Sequence, residues 1–299
     1  MIHTLDLNFM GIVGTIAVYM LPHKDGVILI ECGPGSTIPG LKSALQAHGY
    51  NEKDVTDVFL THIHLDHAGA AGWMARQGAR IHVHPAGAPH LIQPEKLLAS
   101  AARIYGSMME TLWGEFLPVP ADRLVVLQDR EQVEIDGICL QAIDTPGHAN
   151  HHFAYIGEDT CFCGDIGGVR LQGSRHLRLP MPPPEFNLES WRASVGKLKT
   201  EYKKERFSRI APTHFGIHTD PEWHIPALKR ILDEIETWIE KIMPSDPSLD
   251  VLNDYFLDWV RKKAQADGMD STSTNGYEAA NPSWMSAAGI QRYWRKNRA

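Results

Sequence analysis

The residues best suited to chemistry in this chain lie in one short stretch, residues 61–69, with the sequence THIHLDHAG. Three histidines and one aspartate fall within six positions of it: His62, His64, Asp66 and His67. Imidazole nitrogens and carboxylate oxygens are ligands that zinc, iron and manganese accept. A single histidine here would be explained as a polar residue in a turn. A cluster would crowd like charges on protonation unless a cation or hydrogen bonds compensate, so the spacing predicts a metal site.

The segments on either side of this stretch predict where it lies in the fold. Residues 55–60 form an apolar run that indicates a buried strand, and the small residues 68–75 predict a helix. The histidine cluster should therefore lie at the end of a strand, where several side chains can converge on one point.

The pattern His-x-His-x-Asp-His resembles the metal-binding signature of the metallo-β-lactamase fold superfamily. Three later segments resemble the remaining motifs of that family and follow in its order, each after an apolar, strand-like run: residues 145–148 (TPGH), 162–165 (FCGD) and 212–216 (PTHFG). The resemblance covers roughly residues 1–220. It implies an α/β (α+β) fold, the four-layer αββα sandwich, here with a helical insertion and a C-terminal helical extension.

Carried over residue by residue, the resemblance implies a centre of two divalent metal ions. The implied ligands come from all four motifs: His62, His64 and His148 for the first ion, Asp66, His67 and His214 for the second, and Asp165 as a bridge between them. Zinc is the first expectation, with iron or manganese as alternatives. Asp66 is also the expected catalytic residue, because it is placed to orient the nucleophile or relay a proton.

The activity that the resemblance implies is hydrolysis of an ester-like bond by a hydroxide held between the two metals. The bond is a thioester, a lactone, a carboxylic ester or a phosphoester. Asp165 matches the glyoxalase II-like and lactonase-like hydrolases, whereas the β-lactamases proper supply a cysteine; we assign Cys161 and Cys163 to strand packing. Two alternatives stay open: a single-iron persulfide dioxygenase of the same fold, and a metal-binding protein without catalysis.

Two residues near the motifs are candidates for supporting the centre. Glu31 occupies a position where family members usually carry an aspartate that supports the metal site. The equal alternative is a strand-end carboxylate that accepts backbone N–H bonds. His218 follows the last motif closely and is a candidate pocket residue. His82, His84, His151 and His152 are interpreted as structural, although His151 is also a candidate for substrate contact.

Residues 85–123 resemble the helical insertions that cover the active site in some family members. Helices are expected at 94–105 and 106–116, and they carry the pocket candidates Tyr105 and Trp113. The insertion would then be an apolar lid that binds the organic part of a substrate. Core packing and a dimer interface are the alternatives, because aromatic and Met stripes at helical spacing are commonly core.

The remaining pattern divides the chain into a catalytic domain at 1–225 and a C-terminal helical extension at 226–299 packed on it. In the first part we expect early strands at 2–9, 12–21 and 26–32, and a helix at 37–48. In the extension we expect a second helix to begin at Asp246-Pro247. Residues 267–282, rich in Ser, Thr, Asn and Gly, should form a linker or long loop, followed by a helix at 283–298.

The composition of the chain restricts the classes of binding partner. The chain has 299 residues, 43% hydrophobic and 22% charged, with a net charge of −7, which argues against nonspecific binding to nucleic acid. We expect no membrane span and no signal peptide, because the early apolar run is too short and no basic segment precedes it. Four cysteines without disulfide spacing favour a cytoplasmic location. The expected partner is a small-molecule substrate with an apolar part, and the aromatic insertion and tail also suit a homodimer.

Overall fold

The computed structural model describes residues 1–298, and the side chains of all of these except 271–273. Two β-sheets form its centre. The first sheet has strands β1 (His3–Asp6), β2 (Ala17–His23), β3 (Gly26–Ile30), β4 (Val55–Phe59), β5 (Arg80–Val83) and β6 (Leu124–Val126), adjacent in that order. The second has β7 (Gln132–Ile135), β8 (Ile138–Asp144), β9 (Phe153–Gly157), β10 (Thr160–Phe162) and β11 (Arg209–Ala211), adjacent in reverse order.

Strand β2 shows why both faces of the first sheet are buried. Ala17, Tyr19 and Leu21 pack in the core between the two sheets, whereas Val18 and Met20 pack in the core beneath the helices on the other side. Successive side chains of a strand point to opposite faces, so a strand covered on both sides is apolar throughout. The two sheets therefore form the inner layers of the molecule.

Helices cover the outer face of each sheet. Those on the first sheet are α1 (Ile38–Ala47), α2 (Leu65–Ala68), α3 (Ala71–Gln77), α4 (Ala88–Ile92), α5 (Glu95–Tyr105) and α6 (Met109–Trp113). Those on the second are α7 (Leu188–Lys203), α8 (Pro221–Ile242), α9 (Leu249–Ala266) and α11 (Ser283–Asn297), with α10 (Ser271–Ala280) between the last two. The predicted four-layer αββα arrangement is confirmed, including the helical insertion and the C-terminal helices.

The strand expected at 12–21 begins only at Ala17, because the preceding loop cannot be extended. Asn8 and Met10 have φ angles of 51° and 55°, in the left-handed region. The side chain of Asp6 holds this loop by accepting hydrogen bonds from the N–H groups of Asn8, at 2.9 Å, and Gly14, at 2.7 Å. Residues 8–14 therefore form a compact loop instead of a strand.

The helix expected at 68–75 is split into α2 and α3. The N–H of Ala70 donates to the carbonyl oxygen of Gly33 at 2.9 Å instead of continuing the helical ladder. The helix is therefore interrupted at Ala70, where the backbone bonds to the segment that follows β3.

Two predictions for the C-terminal helices were wrong. Helix α9 begins at Leu249 and is capped by Ser248, whose hydroxyl accepts from the N–H of Val251, so Asp246-Pro247 is not its start. The linker expected at 267–282 contains α10. Tertiary contacts override its loop-like composition: Tyr277 donates to the carbonyl of His176 at 2.8 Å, and Asn281 donates to that of Leu179 at 3.1 Å.

Helix α8 begins at Pro221 and so crosses the expected boundary at residue 225; the division into two domains stays a prediction. Among the described residues, no helix combines the length and apolar character needed to cross a membrane. The cytoplasmic location and the homodimer also stay predictions.

Candidate metal centre

The segment after β4 carries four of the candidate ligands. His62 and His64 lie in its extended part, and α2 begins at Leu65, so Asp66 and His67 occupy the first turn of a helix. The change from extended to helical backbone separates the side chains into two groups. His62 and His64 face one point together with His148, and Asp66 and His67 face another.

The second sheet supplies the other three ligands from the ends of its strands. His148 lies in the loop between β8 and β9, Asp165 in a 3-10 turn after β10, and His214 directly after β11. Gly147 lets the His148 loop approach α7 closely. It has a φ of 141°, and a Cβ atom at this position would lie 2.4 Å from the Cα of Trp191.

Three imidazole nitrogens form the first group. Nδ1 of His64 lies 3.0 Å from Nε2 of His62 and 2.8 Å from Nε2 of His148. One oxygen of Asp165, Oδ2, completes the group at 3.3 Å from Nε2 of His148. Two nitrogen ligands of one tetrahedral zinc ion lie roughly 3.3 Å apart, so these separations fit a shared cation.

The second group combines imidazoles and carboxylates. Oδ2 of Asp66 lies 3.6 Å from Nε2 of His67 and 3.4 Å from Nε2 of His214. The other oxygen of Asp165, Oδ1, lies 3.4 Å and 3.5 Å from the same two nitrogens. Asp165 therefore offers one oxygen to each group, which is the placement of a bridging ligand.

The outer ring nitrogens fix the direction of four imidazoles. Nδ1 of His148 donates to the carbonyl of Pro180, and Nδ1 of His214 donates to that of Thr15, both at 2.7 Å. The remaining bonds of this kind run from Nδ1 of His62 to the hydroxyl of Thr61 and from Nδ1 of His67 to the carboxylate of Glu31, both at 3.0 Å. With Nδ1 protonated, each Nε2 presents a lone pair to the centre, as a metal ligand must.

The unpaired atoms of the two groups fit bound cations. Nε2 of His67 and Oδ1 of Asp165 are buried and have no hydrogen-bond partner among the described residues. In the first group, the lone pairs of His62 and His148 both face Nδ1 of His64, which can carry only one proton. A buried polar atom without a partner costs about 1–3 kcal/mol, and a bound cation removes that penalty at each group.

The electrostatics of the two groups differ. Burial lowers the pKa of His62 and His64 well below the usual range, so both are neutral, which is the form that binds metal. Burial also disfavours a charge on His67, but Asp66, Asp165 and Glu31 outweigh it and raise the pKa of His67. Partial burial disfavours the charge on Asp66, yet the neighbouring imidazoles of His67 and His214 outweigh it and lower its pKa to about 2. The second group thus attracts positive charge.

Glu31 lies behind the second group and is fully buried. Its carboxylate accepts hydrogen bonds from Nδ1 of His67, from the backbone and hydroxyl of Thr61, and from the hydroxyl of Thr213 at 3.1 Å. Both expected roles are therefore present together: the carboxylate supports a candidate ligand and also accepts a backbone N–H.

Some of the other pocket candidates line the cavity, and others do not. Tyr105 and Trp113 line the cavity above the centre, and their rings pack edge to face with centroids 4.9 Å apart. His218 is not among the described cavity-lining residues; its Nε2 instead lies 3.1 Å from the carbonyl of Phe215. His151 does line the cavity, with Nε2 3.3 Å from the carboxylate of Glu185. His82, interpreted as structural, stacks on Phe59.

A cavity of about 600 Å³ opens above the metal centre, and most of its lining is apolar. Four separate parts of the chain form its walls: the loop at residues 9–16, the proline-rich segment 180–185, one face of α5 and α6, and residues 278–285. The last two meet where the hydroxyl of Tyr105 lies 3.1 Å from Sδ of Met285 and its ring lies against Trp284, with centroids 5.8 Å apart.

The walls from the N-terminal loop and from the C-terminal helices were missed by the sequence analysis. Met10, Ile12 and Trp284 line the cavity and are 49%, 40% and 41% exposed. Ile12 and Trp284 lie in segments that were predicted to form a strand at 12–21 and a helix at 283–298, and neither pattern indicates that these side chains face a cavity. A loop or a helix end leaves no pattern that links it to a distant site.

Comparisons with known proteins identify the family of this chain. A family model described as "Metallo-beta-lactamase superfamily" matches residues 11–205. A metallo-beta-lactamase fold-containing protein of Sulfurisphaera tokodaii is 24% identical over 219 residues, 71% of this chain and 80% of that protein. A hydroxyacylglutathione hydrolase of Aeromonas hydrophila is 28% identical over 148 residues, 50% of this chain but only 45% of that enzyme.

A solved structure agrees in fold over nearly the whole chain. It is that of a metallo-beta-lactamase family protein of Thermus thermophilus, with a TM-score of 0.64 and 20% identity, covering 99% of this chain and 93% of that one. Its coverage includes the C-terminal helices, so a known fold accommodates them together with the two sheets.

Proposed function

Because the chain belongs to the metallo-beta-lactamase superfamily, a superfamily of metallo-hydrolases, we propose that it hydrolyses an ester-like bond at a centre of two divalent metal ions. The observation that carries this proposal is the position of Asp165, whose two oxygens lie 3.3 Å from a nitrogen of one ligand group and 3.4 Å from a nitrogen of the other. A carboxylate shared in this way suits two cations better than one.

The proposed ligands are the two groups described above. His62, His64 and His148 would hold the first ion, Asp66, His67 and His214 the second, and Asp165 both. The mixed nitrogen and oxygen donors suit zinc, with iron and manganese as alternatives. When bound, such ions make hydroxide available near neutral pH and polarise the oxygen of a carbonyl or phosphoryl group.

Asp66 is the proposed catalytic residue. Its side chain is 22% exposed and lines the cavity, whereas that of Asp165 is 4% exposed. Its low pKa, about 2, keeps the carboxylate ionised. Oδ2 faces His67 and His214, and Oδ1 makes no hydrogen bond among the described residues. We assign to Oδ1 the role of accepting a proton or hydrogen bond from the attacking water.

The substrate is proposed to carry an apolar part. A cavity of about 600 Å³ lies within the range that buries a small organic molecule, and its walls are mostly aliphatic and aromatic. Thioesters are the first class to test, because a relative is named hydroxyacylglutathione hydrolase. Lactones, carboxylic esters and phosphoesters follow.

The test begins with elemental analysis of protein purified without added metal. About two zinc, manganese or iron ions per chain, together with turnover of at least one ester class, would support the proposal. One iron per chain and oxygen uptake with a persulfide would replace it with a dioxygenase. Absence of metal, with none taken up on titration, would show that the ligand assignment is wrong.

A further inference from the structure

We propose that the cavity selects substrates that carry an anionic group as well as an apolar part, and that Lys96 is the residue that binds this group. The inference deepens the proposed function, since the bound molecule would be the one hydrolysed. It rests on the arrangement of α5 and on the partners of every charged side chain in the cavity wall.

One face of α5 lines the cavity along its whole length. The lining positions recur at helical spacing: Lys96, Leu97, Ser100, Ala101, Ile104 and Tyr105. Met108 and Leu112 extend the same wall beyond the helix. Polar groups occupy its first turns, and apolar groups follow. This wall therefore suits a molecule with one polar and one apolar end.

Lys96 differs from the other charged residues of the lining because it has no partner. Glu185 is paired with His151, and Glu278 is bound by Arg178 and Ser283. Asp66 and Asp165 face the histidines of the metal centre. Among the residues that the structure describes, the ammonium group of Lys96 makes neither an ion pair nor a hydrogen bond, so it is available to a ligand.

The position of Lys96 in its helix also favours a role in binding. It lies in the first turn of α5, where the helix dipole disfavours a cation, and Pro94 provides no capping side chain. Glu95 also lies in this turn but is not among the described residues that line the cavity, so the positive charge at this end of the wall comes from the helix N-terminus and the ammonium group. Ser100, one turn further on, offers a hydroxyl without a hydrogen bond among the described residues.

The length of α5 sets the scale of the ligand. Tyr105 lies nine positions after Lys96, which is about 13.5 Å along a helix axis. Tyr105, at the other end of this face, packs against Trp113 and lies 3.1 Å from Sδ of Met285. The ligand class is therefore an ester or thioester with a carboxylate, sulfonate or phosphate group, long enough to lie along the apolar wall and reach Lys96.

The test measures binding and does not require turnover. Octane-1-sulfonate and octan-1-ol, which share one apolar part, are titrated into the metal-loaded full chain by calorimetry. Octanesulfonate should bind more tightly than octanol, and Lys96→Met should weaken octanesulfonate binding about fivefold while leaving octanol unchanged. Lys199→Met, which removes an equal charge from α7 outside the cavity, should change neither.

A charge reversal separates a specific contact from a folding defect. Lys96→Glu should reject octanesulfonate and favour octyltrimethylammonium, which an unfolded variant would not do. Equal sulfonate binding by the wild type and Lys96→Met would overturn the inference, as would equal binding of sulfonate and alcohol by the wild type. A chain that hydrolyses no ester but passes this test would refute only the proposed function.

Discussion

Nδ1 of His67 donates a hydrogen bond of 3.0 Å to the carboxylate of Glu31, and neither side chain is exposed to solvent. The bond joins the end of β3 to the first turn of α2. It also leaves Nε2 of His67 as a lone pair facing Asp66 and Asp165, at 3.6 Å and 3.4 Å. A buried carboxylate on the outer nitrogen of a ligand histidine fixes the ring and increases its basicity.

Replacing this carboxylate should weaken one metal site selectively. We expect Glu31→Gln to lower the affinity of the second metal about 10- to 100-fold, measured by competition with a chromophoric chelator. Glu201→Gln is the matched control, because Glu201 is equally buried but pairs with Arg130 and Lys204 away from the centre. Unchanged affinity in Glu31→Gln would show that the hydrogen bond does not support the ligand.

Asp66 provides a test of catalysis that is separate from metal binding. Asp66→Asn should lower kcat about 100-fold or more even at metal concentrations that fill both sites, because an amide cannot accept the proton. Elemental analysis gives the metal content of the variant, and steady-state kinetics on the best ester substrate give its kcat. A protein that kept its metals and its full turnover would remove Asp66 from the mechanism.

Two glycines in contact with or within α7 should respond in opposite directions to the same substitution. Gly147→Ala would place a methyl group against the backbone of Trp191, so we expect a loss of about 1–3 kcal/mol in unfolding free energy and weaker metal binding through His148. Gly196 lies in the middle of α7, and no atom of the described residues comes within 4 Å of an added Cβ. Gly196→Ala should stabilise the protein by about 0.5–1 kcal/mol, measured by urea unfolding.

Filling the cavity tests whether the insertion contacts substrate. Ile104→Trp should lower kcat/KM about tenfold for esters with a large apolar group, while acetate esters and metal content change little. Ile92→Trp, on α4 outside the cavity lining, serves as the control. If both variants retain full activity towards large esters, the insertion is core or interface and not a binding wall.

His224 should contribute to acid sensitivity. Burial, together with the guanidinium of Arg170 that faces Nδ1, lowers its pKa to about 3, although the hydrogen bond that Nε2 donates to the carbonyl of Gly167 favours the protonated form. The unfolded chain, with a histidine pKa near 6.5, binds this proton first, so the stability contribution is complete above about pH 6.5 and falls as the pH drops towards 3. The slope is about 1.4 kcal/mol per pH unit.

The measurement for His224 is the unfolding free energy of the wild type and of His224→Gln between pH 7 and pH 4. Glutamine can donate the same hydrogen bond but does not titrate. The difference between the two curves should narrow as the pH falls, because only the wild type takes up the proton on unfolding. Parallel curves would show that His224 titrates normally in the folded protein.

The fold and the candidate metal centre could be predicted because their signals are local and repeated. Strands buried on both faces are apolar runs, and the resemblance to the family's motifs, which follow such runs, implied His148 and Asp165 as ligands. The structure brings these two residues together with His62 and His67.

The surroundings of the centre could not be predicted, because they depend on distant contacts. The apolar residues Ile12 and Val13 predicted a strand in the loop before β2. The positive φ of Met10, which ends the extended backbone there, has no signal in the sequence. Residues 271–280 have the composition of a linker, yet Tyr277 and its hydrogen bonds hold them in a helix. No periodic pattern connected Trp284 to a cavity lined by α5.

The cavity walls and the metal centre come from different parts of the chain, and this has a consequence for how the protein can change. The candidate ligands lie at strand ends inside the two sheets, where most substitutions would disturb the fold. The walls come from two loops, at residues 9–16 and 180–185, an insertion and C-terminal helices, which tolerate variation more readily. Descendants of one ancestor can therefore diverge in substrate while retaining the same reactive core, and transplanting the walls between relatives is a practical route to new specificities.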